Sequence, residues 1–170
     1  MHHPSERLWR PGTPGVYAVI ATDGACRNNG YLNAIAGCGI FWDHNSTHNK
    51  SFQLNDGVCP TSQRAELTAA IRALKDFAEG SYGISVPVDY VVIKTDSSYL
   101  VKSVTNWIVR WRRYGWVNSN GDPVSNQDLI TELDRLCDKI YNDFGVKACF
   151  WKVGRDDNKD ADHLAKVAIR

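Results

Sequence analysis

The sequence contains no apolar stretch approaching the ~18 residues needed to cross a bilayer. Its opening, MHHPSERLWRPGTPG, also lacks the apolar run of a secretory signal. Both absences lead to the expectation of a soluble, intracellular protein with no membrane partner. Cysteine is present but unorganised: Cys26, Cys38, Cys59, Cys137 and Cys149 form no CxxC pair and accompany no histidine at zinc-ligand spacing. Free thiols in a reducing compartment are the expectation. The five histidines are scattered, which leaves a histidine-based nucleophile mechanism without support. No GxxxxGKS loop is there to cradle a nucleoside triphosphate. A strong charge of one sign is missing as well, the formal net charge being +1. Any affinity for nucleic acid must therefore come from local charge.

What is present suffices for one folded unit. A chain of 170 residues fits a single domain, and 43% hydrophobic with 23% charged residues excludes wholesale disorder. Charge is segregated along the chain. Residues 102–117 carry Lys102, Arg110, Arg112 and Arg113 with no acid, interleaved with Trp107, Trp111 and Trp116. Residues 126–143 carry five acids against Arg135 and Lys139. Cations among aromatic rings suit a nucleic-acid backbone, the cations meeting phosphates and the rings packing on sugars or bases. The alternative is an amphipathic helix that buries its tryptophans and solvates its charges.

Residues 1–15, rich in proline and glycine, read as an N-terminal tail or wrapped arm, and residues 16–170 as the domain proper. Apolar runs predict strands at 16–22, 34–42, 51–54, 90–95 and 147–152. Helical periodicity predicts helices at 64–79, from about 98, at 126–142 and at 161–169. Three strands followed by alternating helices and strands imply an α/β sheet with an antiparallel hairpin edge and parallel additions.

Two segments echo each other, VIATD ending at Asp23 and VIKTD ending at Asp96. If the two strands are parallel neighbours, their carboxyl ends lie side by side, where open α/β sheets place ligands. Two carboxylates that close repel unless a cation lies between them. A turn or helix cap is the ordinary reading of each Asp alone. Glu66 leads into the apolar flank of its helix, and a capping box fails on spacing because Gln63 stands three residues before it. Asp162 opens the last helix, where an acid also suits the helix dipole. Together the four acids match two divalent cations. Hard oxygen ligands suit Mg²⁺ or Mn²⁺ rather than zinc, and two such ions can activate a water and stabilise the leaving oxygen of a phosphodiester.

The segments TDGACRNNG, TSQRAELTAA, TDSSYLVKSVTNWIVRWRRYGW and KDADHLAKVA resemble, in that order, the motifs of type 1 ribonuclease H. The likeness is greatest to the eukaryotic catalytic domain with its Trp-rich basic protrusion. The resemblance implies a ribonuclease H-like fold, a five-stranded mixed sheet flanked by helices. It also implies a metal-dependent endoribonuclease that cuts the RNA strand of RNA/DNA hybrids with two Mg²⁺ ions, Mn²⁺ substituting, to leave 3′-hydroxyl and 5′-phosphate ends. The metal ligands and catalytic residues it implies are Asp23, Glu66, Asp96 and Asp162. The RNA strand would be met by Asn29, Ser62 and Gln63 with backbone groups near Cys26 and Asn28, and the DNA strand by Tyr99, Trp107 and Trp111 with Ser119 nearby. Thr61 and Asn126 would form a DNA-phosphate pocket, whose usual Arg matches Cys59 here. A monomer is the family expectation.

The chain departs from the family before its last helix. In WKVGRDDNKDAD the loop is shortened and its usual His corresponds best to Arg155 or to nothing. Arg155 cannot act as a general base near neutral pH, which leaves it the binding of a phosphate or the steadying of a leaving product. The competing reading is a hybrid- or duplex-binding domain of the same fold with weak or lost cleavage. A fold relative acting on DNA or double-stranded RNA is a third.

Overall fold

A computed structural model describes residues 3–170; Met1 and His2, the first two residues of the expected arm, lie outside the described residues. Five strands form one mixed sheet in the order β3-β2-β1-β4-β5. They are β1 (Tyr17–Arg27), β2 (Ile35–Phe41), β3 (Lys50–Gln53), β4 (Tyr90–Thr95) and β5 (Lys147–Lys152). The first three run antiparallel to one another, while β4 pairs parallel with β1 and β5 parallel with β4. The helices are α1 (Ser62–Ala78), α2 (Ser98–Lys102), α3 (Ile108–Arg113), α4 (Gln127–Phe144) and α5 (Lys159–Val167). A five-residue π-helical stretch, Ser103–Trp107, joins α2 to α3.

The two helical layers follow from which strand residues face which way. Cys38 of β2 lies under α1, its thiol donating to the Ala65 carbonyl at 3.4 Å. Val91 and Ile93 of β4 point to the same side and join Leu67, Ile71 and Leu74 of α1 with Ile130, Leu133 and Ile140 of α4 in one core. Those helical positions recur at three- and four-residue spacing, so each helix turns one apolar stripe inward. Burying each such side chain stabilises the fold by about 1.5–3 kcal/mol.

The other face is covered differently. Over β2 lies α5, admitted by two glycines: a Cβ on Gly37 would stand 2.4 Å from the Ala165 carbonyl oxygen, and one on Gly39 2.2 Å from that of Ala161. Over β4 and β5 no helix lies among the described residues; Trp9 fills the space with Val92 and Cys149. Its ring meets those of Tyr17 and Tyr90 edge-on at 4.8 and 5.2 Å. Leu8 bridges Phe150 in parallel, and the Trp9 amide donates to the Phe150 carbonyl at 2.9 Å. The arm thus shields the open edge of β5, whose unpaired backbone groups would otherwise invite pairing with another chain.

The first and last long helices begin two residues earlier than expected, at Ser62 and Lys159, and one strand boundary differs more. The strand predicted over residues 16–22 continues to Arg27, so Asp23 stands inside β1 rather than at its end. The extension is held by pairing with β2 from Ala21↔Phe41 to Arg27↔Ile35. Asp23 nevertheless lies beyond the stretch shared with β4, which stops at Ala21↔Lys94.

Candidate active site

Continuing that parallel register by two residues brings Asp23 level with Asp96, the juxtaposition anticipated from VIATD and VIKTD. Glu66 reaches the same place because Gly24 has no side chain; a Cβ there would stand 2.3 Å from the Glu66 amide nitrogen. Asp162 arrives on α5, seated over Gly37 and Gly39. All four carboxylates line one cleft of about 530 Å³, together with Cys26, Ser62, Arg155, Asp156, Lys159 and Lys166.

Electrostatics in the cleft are unfavourable for Asp23. It is 7% exposed. Burial first, then the charge of Asp96 and more weakly those of Asp162 and Glu66, push its carboxyl up to about 7, against a hydrogen bond from the Gly24 backbone. Glu66 is raised as well, chiefly by burial, with Ser97 and Arg155 pulling the other way.

As the side chains stand, no three Asp, Glu, His or Cys among the described residues are close enough together to hold an ion. Each acid other than Asp23 is drawn to a partner of its own. Glu66 accepts a short hydrogen bond from Ser97 Oγ. Asp96 accepts from Asn158 Nδ2 at 3.3 Å and faces Arg155 Nε at 3.7 Å, and Asp162 takes Lys166 Nζ at 2.7 Å. The donor set still fits a hard divalent cation: four carboxylates converge, one of them buried against the charge of the others, and carboxylate oxygens are what such ions prefer. Near Asp96, the buried Asn158 Oδ1 has no hydrogen-bond partner among the described residues.

The residues expected along the RNA strand are partly gathered. Cys26 and Ser62 line the cleft, and Asn29 Oδ1 accepts the Ser62 amide at 3.4 Å. Asn28 sits with φ 54° in the turn after β1. Gln63 is exposed on the first turn of α1, whose N-cap is Thr61 accepting the Arg64 amide at 3.1 Å.

On the expected DNA side, Tyr99, Trp107, Trp111 and Trp116 form a continuous aromatic row. Successive centroids are 6.1, 5.7 and 6.1 Å apart. Trp116 adopts φ 62°, costly for a bulky residue, and is held there by its amide on the Trp111 carbonyl at 2.8 Å. Asn126 is also left-handed, at φ 60°; its Nδ2 donates to Tyr99 Oη at 3.0 Å. Ser119 lies in the exposed loop after α3, with no hydrogen bond among the described residues tying it to this row.

Two arginines near the expected nucleic-acid surface are engaged by acids. Arg64, adjacent to the expected phosphate pocket, cannot stand in for the arginine that Cys59 replaces. It is 5% exposed, and all five of its N–H donors are engaged by Asp56, Asp128 and Asn126. Arg112, though one-third exposed, is paired with Asp134. Arg110 and Arg113 have no ion-pair partner among the described residues; Arg110 stacks over the Tyr114 ring at 5.9 Å. Sequence reasoning missed Ser97, Asn158 and Lys166. The only signal was their nearness to Asp96 and Asp162, which does not reveal direction.

A family model described as RNase H matches residues 16–170, and the chain belongs to that family. It is 40% identical over 151 residues to Ribonuclease H of Coxiella burnetii, covering 86% of each chain. With Ribonuclease H1 of Rattus norvegicus it shares 32% over 156 residues, 92% of this chain and 51% of that protein. The chain thus spans about half the length of the curated eukaryotic relatives it matches. Among solved structures, a foamy viral protease-reverse transcriptase in complex with dsDNA superposes with a TM-score of 0.62 at 25% identity, covering 90% of this chain and 94% of that one. LC11-RNase H1, solved in complex with an RNA/DNA hybrid, shares the fold with a TM-score of 0.55 at 24% identity, over 89% and 95% of the two chains. Among the described residues no helix is long and apolar enough to cross a membrane.

Proposed function

We propose that this chain is a metal-dependent endoribonuclease that hydrolyses the RNA strand of RNA/DNA hybrids, acting as a monomer and leaving 3′-hydroxyl and 5′-phosphate ends. The observation that carries the reading is the convergence of Asp23, Glu66, Asp96 and Asp162 on one cleft from four separate elements. Those four would hold two Mg²⁺ ions, or Mn²⁺ in their place, after Glu66, Asp96 and Asp162 release their present partners. Bound there, the ions would supply an activated water and charge stabilisation on the leaving oxygen.

The protein's own groups would do the rest. Asn29, Ser62, Gln63 and the backbone near Cys26 and Asn28 would read the 2′-hydroxyls that distinguish RNA from DNA. The row from Tyr99 to Trp116 would pack against the DNA strand, with Ser119 nearby and Thr61 and Asn126 receiving a phosphate. That pocket is weaker than one with an arginine, because Arg64 is fully committed. Arg155, almost wholly exposed beside Asp96, would bind a phosphate or steady the leaving product without taking a proton.

The test is cleavage of an end-labelled RNA/DNA hybrid in Mg²⁺ and then Mn²⁺, beside an all-DNA duplex and an Asp96→Asn variant. Cutting of the RNA strand alone, lost by at least about a thousandfold in Asp96→Asn with hybrid binding kept, is the expected result. Cleavage unchanged in that variant would refute the ligand assignment. Tight hybrid binding without cutting in either metal would favour the binding-domain reading, with the shortened loop at Arg155 as the cause.

A further inference from the structure

The N-terminal arm lies outside the span that the RNase H family model matches, yet it carries one of the most buried charges in the molecule. Arg7, 3% exposed, ends the short 3₁₀ turn Pro4–Arg7. Its Nη1 donates to Asp134 Oδ1 at 2.7 Å and reaches the Val104 carbonyl at 3.5 Å, while Nη2 donates to Asp138 Oδ1 at 3.2 Å. Asp134, itself 6% exposed, uses its other oxygen for Arg112 of α3. One carboxylate on α4 is therefore held between an arginine of the arm and an arginine of the Trp-rich segment. Val104 belongs to the π-helical stretch that carries Trp107, so the arm meets that segment directly at Val104 and reaches Arg112 through Asp134.

The arm has little freedom to give up these contacts. Two residues after Arg7, Trp9 is clamped against Tyr17, Tyr90, Val92 and Cys149 on the opposite face of the sheet. Leu8 between them pairs with Phe150 at the β5 edge. The chain is thus wedged round that edge, with the guanidinium on one side and the indole on the other. Removing Arg7 would leave Asp138 without this partner and Asp134 balanced by Arg112 alone, which is one-third exposed.

We infer that Arg7 is a positioning residue for hybrid binding: through Asp134 and the Val104 carbonyl it fixes the Trp-rich segment in the orientation that meets the DNA strand. This rests on the proposed function for its ligand, but the fixing itself is a property of the ligand-free protein. An elongated cation with several donors is required, because the site asks for bonds in three directions; lysine supplies charge without the fork.

The experiment compares the full chain with Arg7→Lys, Arg7→Met and, as a control for general loss of stability, Ile140→Val in the α4 core. Amide hydrogen exchange over residues 103–116 is read without ligand, then KM and kcat on an RNA/DNA hybrid. Exchange there is expected to quicken by about tenfold in Arg7→Met and less in Arg7→Lys, beyond any change in Ile140→Val. KM should rise by about three- to tenfold with kcat within about twofold, because the carboxylate cleft is untouched. If Arg7→Met does not fold, Arg7→Lys carries the comparison. Exchange no faster than in the control overturns the inference, and so does faster exchange with an unchanged KM. A wild-type chain that neither binds nor cuts the hybrid sinks the proposed function instead, and the exchange data alone then decide whether the arm holds the segment.

Discussion

The carboxylate cleft stands on backbone packed against backbone, whereas the Trp-rich segment stands on side chains, Val104 and Ile108 in the core and arginines and rings outside it. At the cleft, Gly24 meets α1, and Gly37 and Gly39 meet α5, at distances that leave no room for a methyl group. Beyond α2 the helix loosens into a π turn, seated in the core by Val104 and Ile108 and held further out by Arg112 on Asp134, Arg7 on Val104 and a row of rings. The contrast has a physical logic. Cations bridging two oxygens demand ligand positions good to about half an ångström, which rigid elements give. A nucleic-acid backbone is met by charge and flat surface, which tolerate adjustment. Fragility should differ accordingly: substitutions under the cleft should act on the fold, and those along the segment on affinity.

The largest effect is expected from Gly39→Val. Its added carbons would collide with the Ala161 carbonyl and the Ala165 amide, both backbone, so relief requires moving α5 and Asp162 with it. A loss of about 3 kcal/mol or more in urea unfolding is expected, together with loss of cleavage. A variant as stable as wild type would show that α5 does not rest on β2 backbone against backbone at Gly39.

Next comes Asp23→Asn, measured as thermal stability in chelator. In the fold this carboxyl is pushed up to about 7, whereas an unfolded aspartate titrates near 3.9. The folded protein therefore holds the proton more tightly. Above pH 7 the buried charge is present in full and destabilises the fold; as pH falls through 7 the folded form takes up its proton, and near pH 4 the penalty is gone. Asp23→Asn should thus stabilise the chelated protein at pH 8, on the order of 1–3 kcal/mol, with the gain shrinking by pH 5. A gain that does not vary with pH would mean that charge is not its source.

These two sites also show what could be read from the sequence. The strand residues of VIATD and VIKTD, the stripe through Leu67, Ala70, Ile71 and Leu74, and the order of motifs were enough for the sheet, its helices and the meeting of four acids in one cleft. Local pattern sufficed because each acid sits next to an element that announces itself by periodicity. The overrun of β1 to Arg27 was hidden since Gly24 and Ala25 look like a turn, and only the pairing with β2 makes them strand. Arg7 was hidden for a different reason. Its partners, Asp134 and Asp138, lie more than a hundred residues away, and nothing in an arm of prolines and glycines signals a buried charge. The short bonds of Glu66 to Ser97 and of Arg112 to Asp134 are likewise facts of direction, which composition and spacing do not carry.

The smallest and sharpest test lies inside the segment itself, among three arginines that look alike in the sequence. Arg112 spends its charge on Asp134, an almost fully buried carboxylate, while Arg110 and Arg113 have no acidic partner among the described residues. Arg110→Ala and Arg113→Ala should each change stability by less than about 0.5 kcal/mol. If each meets one phosphate, each should weaken hybrid binding and lower the salt slope by about one. Arg112→Ala should do the reverse, costing about 1 kcal/mol of stability because Asp134 keeps only Arg7, with the salt slope little changed. Binding isotherms at several salt concentrations beside urea titrations separate the two behaviours. If all three arginines lowered the slope equally and left stability alone, the Asp134 contact would not persist in solution. The segment would then be a free cationic arm, and its contrast with the cleft would be greater than the one drawn from these contacts.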